Sequence, residues 1–261
     1  MASIRPPAVA GLFYPGEAEE LDAAVRECLA AAETADTAPK ALIAPHAGYV
    51  YSGPVAASAY ARLAAHRDVI ERVVLLGPAH RISFRGLAAS GASAFATPFG
   101  EVPVDAEAIE RALALPQVRV LDAAHEMEHS LEVHLPFLQR VLDGFALAPF
   151  VVGDAAPEDV AEVIELLWGG PETLVVVSSD LSHFLDYDSA RRIDGETARA
   201  IEALQPDDIA PDQACGRLPI QGLLRVARAR GLEVSRVDLR NSGDTAGPRD
   251  EVVGYGAWVF A

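Results

Sequence analysis

Short apolar runs alternating with helical patterns constrain this chain most. Residues 41–44, 72–77 and 173–179 are too short for core helices and too apolar for surface strands, which marks them as parallel strands buried on both faces. From Pro54 onward, Val55, Ala56, Ala59, Tyr60 and Leu63 recur with helical spacing, and Gly53 and Pro54 suit that helix's first turn. Further helical patterns cover 17–33, 105–113, 158–167, 190–203 and 216–231, with a long one at 125–142 that bends or restarts at Pro136. Residues 34–39 read as a loop, and 93–100 as a loop or edge hairpin. Residues 232–239 and 251–260 read as closing strands, antiparallel because no helix joins them. The expected fold is α/β: a single domain over 1–261 with a central, mainly parallel mixed sheet flanked by helices.

Each of the three apolar runs ends in a turn that carries chemistry. Pro45-His46 follows the first, Pro78-Ala79-His80 the second, and Ser178-Ser-Asp180-Leu-Ser-His183 closes the third. Open α/β sheets build their sites beyond the carboxyl ends of the strands, so His46, His80 and His183 are expected at one edge. One loop histidine is readily explained as a structural hydrogen-bonding group; three at three strand ends read as one constellation. His129 and Glu132 stand three residues apart and can line a pocket from one side of a helix, the carboxylate steadying the imidazole.

Two further patterns compete. His125-Glu-Met-Glu-His129 matches the H-E-x-x-H zinc pattern, but Glu132 stands where the extended form has its glycine, so a metalloprotease is the least favoured reading. Cys215 precedes a helix whose N-terminal dipole should lower its thiol pKa, which makes it a candidate reactive, site-lining group; Cys28 falls among helical alanines and reads as core.

Composition narrows the partners. A net charge of −17 repels the phosphate backbone, and no apolar run approaches the length of a membrane span, so neither nucleic acid nor membrane is expected. Two cysteines do not make a disulfide framework, and a cytoplasmic location is expected. There is no G-x-G-x-x-G or Walker sequence to suggest a nucleotide cofactor.

Seven segments, taken in order, resemble the Memo family, whose prokaryotic members are also called AmmeMemoRadiSam system protein B. They are Arg5-Pro-Pro-Ala-Val-Ala-Gly-Leu-Phe-Tyr-Pro15, Ala44-Pro-His-Ala-Gly-Tyr-Val-Tyr-Ser-Gly53, Gly77-Pro-Ala-His80, Glu128-His-Ser-Leu-Glu-Val-His-Leu-Pro-Phe137, Ser178-Ser-Asp-Leu-Ser-His183, Ala214-Cys-Gly-Arg-Leu-Pro-Ile220 and Asn241-Ser-Gly-Asp244. The family is similar in fold to the class III extradiol dioxygenases, the LigB-like non-haem iron enzymes. The resemblance implies that His46 and His80 bind a divalent metal and that His183, with Asp180 and His129, handles protons. Tyr49, Glu132 and Cys215 would line the substrate pocket. Eukaryotic relatives carry a cysteine in the C-terminal stretch where this chain offers Asp244 or Thr245, so Asp244 is expected as third ligand. That set favours iron(II), with copper or zinc as alternatives. The implied function is a dioxygenase-like, metal-dependent oxidoreductase acting on a small phenolic or related substrate. It would work alongside radical-SAM and AMMECR1-type proteins. The alternative is a non-catalytic protein- or peptide-binding module that keeps the metal pocket.

Overall fold

Ala41–Ala44, Thr173–Ser178, Arg72–Pro78 and Ala146–Val152 lie side by side as parallel strands, in that spatial order. The computed structural model describes residues 3–35 and 39–261, so the middle of the loop expected at 34–39 lies outside the described residues. Antiparallel strands continue this core on both sides: Val252–Phe260 beside Ala41–Ala44, and Leu87–Ala89 beside Ala146–Val152. Val118–Val120, His183–Leu185 and Val234–Asn241 complete the nine strands of this sheet among the described residues, the last pairing antiparallel with Val252–Phe260; their connection, expected to hold no helix, contains the single helical turn Ser242–Thr245, too short to carry a crossover. The 93–100 stretch forms the Ala94–Thr97 strand and its turn, paired with Gly100–Pro103 and, on its other side, with Ile4–Arg5.

Alternate residues of each core strand feed opposite faces. Leu42, Val73, Leu75, Leu174 and Val176 pack beneath the helices Ala18–Ala30, Tyr49–Tyr60 and Leu135–Val141. Ile43, Val74, Leu76, Val175 and Val177 pack beneath Ala106–Ala112, Pro157–Leu166, Tyr187–Glu202 and Arg217–Arg230. The strands are continuous apolar runs because both faces are covered.

Two helical expectations change. The second helix begins at Tyr49 and contains Pro54. Gly48 O accepts Tyr51 N and Ser52 N, and Ser52 Oγ returns to Ala47 O at 2.8 Å, so the first turn closes well before the proline. The expected 125–142 helix is broken: a four-residue turn ends at Glu126, a 3-10 turn covers Glu132–His134, and a helix restarts at Leu135–Val141 with Pro136 in its first turn. The break frees two carboxylates to turn inward. Glu132 is fully buried, where it pairs with Arg5 and accepts Ala8 N at 2.7 Å, Val9 N at 3.0 Å and Tyr14 Oη at 2.6 Å. Arg5 also donates to the carbonyls of His125 and Glu128, at 2.9 and 2.6 Å. Gly77 lets this loop approach the sheet, since a Cβ there would stand 2.8 Å from both Ser130 Oγ and Leu131 Cδ2.

Glu132→Ala removes the countercharge of buried Arg5, which keeps only its two carbonyl acceptors, and takes the acceptor from two amides and a phenol. The expected loss of stability is about 3–5 kcal/mol, the range for breaking a buried pair. Urea unfolding checks it; a loss under about 1 kcal/mol would remove Glu132 as the anchor of residues 5–15.

Candidate metal centre

The loops after three parallel strands meet at their carboxyl ends. His46, His80 and Cys215 each offer one nitrogen or sulfur, and the three atoms lie within 4.8 Å of one another. His46 Nε2 is 3.4 Å from Cys215 Sγ, and the His46 and His80 rings meet edge to face at 5.2 Å. Cys215 arrives from the turn before the Arg217–Arg230 helix. Its neighbour Gly216 makes that approach feasible, because a Cβ would sit 2.4 Å from Ser178 O and 2.6 Å from Ser179 Cβ.

Hydrogen bonds to the other ring nitrogens aim both imidazoles inward. His46 Nδ1 is 2.5 Å from Ser178 Oγ, and His80 Nδ1 is 2.9 Å from Glu128 Oε1. Glu128 Oε2 also accepts the His80 backbone N–H at 2.6 Å. In each ring Nε2 is the nitrogen left to bind a ligand, and a partner on the far nitrogen is the usual support of a metal-binding histidine. His46 is buried and His80 exposed, so the cluster opens to solvent on the His80 side.

Three more groups surround it. His129 stacks on His80 at 4.6 Å, faces His46 edge-on at 5.4 Å, and its buried Nδ1 has no hydrogen-bond partner. His183 uses Nδ1 on Leu181 O at 2.8 Å, which leaves Nε2 free. Asp180 is buried and accepts His46 N at 2.8 Å, while its own backbone N–H points to Cys215 Sγ at 3.3 Å.

Burial governs the titration of these groups. It depresses His46 well below the usual imidazole value, and the charges of His80, His129, His134 and His183 push the same way. Burial also lowers His129 to about 4 and His134 to about 3. Burial raises Asp180 to about 7, against the hydrogen bond from His46 N. For Glu128 burial acts upward, but the bonds from the His80 side chain and backbone outweigh it and hold the carboxyl at about 2. Burial, with the Asp180 charge, raises Cys215 to about 12, opposite in direction to the lowered thiol pKa expected from the helix terminus.

Other expected site residues lie elsewhere. Asp244 belongs to a capping box: it accepts Asn241 N at 3.1 Å and Tyr187 Oη at 2.5 Å, and it joins no cluster of potential ligands among the described residues. Its neighbour Thr245 bonds Ser242 O. Cys215, expected only as a pocket residue, stands with His46 and His80 as the third potential donor. Glu132 is spent on Arg5 and its neighbours rather than on a pocket. Tyr49 packs on Phe137 and gives its hydroxyl to Val133 O at 2.7 Å. The groove it borders, about 560 Å³, is walled by Phe13, Cys28 and Tyr51 and not by the histidines. His125 Nε2 is held by Ala88 O at 3.0 Å, so the H-E-x-x-H pair shares neither a helix nor an ion site. Glu128 and Ser178 are the orienting groups that the sequence reading passed over.

Comparison with known proteins gives one consistent answer. A family model described as Memo-like protein matches residues 5–259. A MEMO1 family protein of Aquifex aeolicus is 35% identical over 270 residues, covering 98% of this chain and 99% of that protein. MEMO1 family proteins of Archaeoglobus fulgidus and Thermotoga maritima are 36% and 33% identical, covering 98% and 96% of this chain and 99% and 97% of their own lengths.

Asp194 supports the loop that carries His183 by accepting Ser182 N at 3.0 Å, and burial raises its pKa to about 6. The unfolded chain therefore ionises first as pH rises from about 4, and stability falls until the folded carboxyl also ionises near 6. Asp194→Asn keeps the acceptor and removes this loss. Relative to wild type, it should be more stable at pH 7.5 than at pH 4.5 in urea melts; no change between the two pH values would count against it.

Proposed function

This chain belongs to the Memo family, and we propose that it is a metal-dependent oxidoreductase, dioxygenase-like, whose ion is held by His46, His80 and Cys215. The carrying observation is that these three donors converge within 4.8 Å at the carboxyl edge of a parallel sheet. The donor set passes a chemical test of fit: two imidazoles, each backed on its far nitrogen, and a thiol. A sulfur in place of the expected carboxylate softens the set, so copper and zinc suit it at least as well as iron(II). When bound, such an ion would polarise a coordinated substrate oxygen and, for iron or copper, carry electrons.

The chain's own residues complete the reading. His183, with Nε2 free, and Asp180, with its pKa near neutrality, are suited to take and return a substrate proton. His129 offers a neutral ring over His80 on the open side. A small phenolic or related molecule is the proposed substrate.

One observation favours a second reading, a protein or peptide partner on this edge. Phe184, next to His183, is 71% exposed with φ +57°, an unusual backbone conformation for a bulky residue, and Val50 and Met127, next to Tyr49 and Glu128, are also exposed.

Metal analysis tests the first reading. Untagged protein purified anaerobically is supplied with iron(II), zinc or copper. His46→Ala, His80→Ala and Cys215→Ala should lose the ion, and Asp244→Ala should keep it. Retention in Cys215→Ala with loss in Asp244→Ala would restore the carboxylate as ligand. His183→Ala should keep its metal and lose about a hundredfold in turnover. Oxygen uptake is measured with a panel of catechols; its absence with every metal and substrate favours the binding module.

A further inference from the structure

The Ser178 hydroxyl has three partners: Ser130 O at 2.6 Å, His46 Nδ1 at 2.5 Å and His134 Nε2 at 2.7 Å. All four residues are buried. A hydroxyl has one proton and two lone pairs, so these contacts use it completely. The Ser130 carbonyl can only accept, and Ser178 therefore donates to it. Both lone pairs must then receive N–H groups, one from His46 Nδ1 and one from His134 Nε2. Neutral His134 is left with a bare Nδ1, and the buried Tyr60 hydroxyl donates to it at 2.7 Å. Turning the Ser178 proton toward either ring would set two oxygens 2.6 Å apart with no proton between them, leaving a buried carbonyl unpaired.

We infer that Ser178, His134 and Tyr60 form a relay that fixes which nitrogen of His46 carries the proton, holding its Nε2 as a bare donor toward Cys215. A neutral imidazole can otherwise exchange between two tautomers, and the wrong one places an N–H where a lone pair is needed. The relay joins the Tyr49–Tyr60 helix, the Glu132–His134 turn and the end of the Thr173–Ser178 strand to the loop after Ala41–Ala44. Ser178, His134 and Tyr60 are positioning residues, acting through His46. The inference rests on His46 as a metal ligand for its purpose, but its content concerns the metal-free protein.

The test labels the seven histidines with nitrogen-15 and reads their tautomers by long-range proton–nitrogen correlation in the full, metal-free chain. The expected signature is opposite tautomers: His46 protonated on Nδ1 and His134 on Nε2. His46 protonated on Nε2, or His134 on Nδ1, overturns the relay. In Ser178→Ala the His46 signals should average between tautomers, and zinc affinity, measured by competition with a chromophoric chelator, should fall about 10–100-fold. A single unchanged tautomer with wild-type affinity in that variant also overturns it. Should Ser178→Ala not fold, the wild-type spectrum still decides. His134→Gln, whose amide can serve both Ser178 and Tyr60, should keep the wild-type His46 signature; a His46 protonated on Nε2 in that variant overturns the relay. The opposite tautomers without zinc binding would support the relay while refuting the metal reading.

Discussion

Parallel pairing of three strands is the constraint on which the site depends. Ala44 pairs with Ser178, and Leu76 with Val177, so Ala41–Ala44, Thr173–Ser178 and Arg72–Pro78 run level toward one edge. Parallel strands send their following loops out at the same side, and His46, Asp180, His183 and His80 arrive together without help from local sequence. The apolar faces on both sides of the sheet fix this register, because a slip by one residue would exchange the residues of two filled cores.

Carboxylates buried beneath that edge divide the remaining work. Glu128 and Glu132 are one helical turn apart in sequence, yet one orients His80 and the other neutralises Arg5. A continuous helix would project both toward the same side, and neither task could be met. Breaking the helix leaves backbone groups to be satisfied. Arg5 meets two of them by donating to the carbonyls of His125 and Glu128, so one buried ion pair both tethers residues 5–15 and stabilises the irregular loop.

Much of this was legible in the sequence, and the failures have identifiable causes. The strands could be read because their apolar runs are short and uninterrupted, and His46, His80 and His183 because each follows such a run. Asp244 stands apart from the histidines, and the sequence carries the reason: Asn241 and Asp244 are spaced as an N-cap and its N3 partner, which engages the carboxylate locally. Tyr49, expected to line the substrate pocket, lies in the first turn of a helix that starts before Pro54 and packs on Phe137. Glu132 was grouped with His129 on the assumption of an unbroken helix. The Cys215 error is one of magnitude, since helix position suggested a lowered thiol pKa while burial beside Asp180 decides the matter.

The charge state of the cluster shows why these residues suit a cation. Burial and mutual repulsion keep His46 neutral, and burial keeps His129 and His134 neutral at ordinary pH. Glu128 is ionised and Asp180 partly so, while the thiol retains its proton. The pocket thus carries carboxylate charge beside the neutral rings of His46, His129 and His134. A cation entering it meets a His46 ring that is already deprotonated, and binding at Cys215 would displace the thiol proton. Ionising that thiol is unfavourable beside Asp180 alone and becomes favourable beside a divalent ion, whose charge opposes both. The same burial that makes Cys215 a poor free nucleophile would therefore couple its ionisation to the binding of a cation in the proposed site.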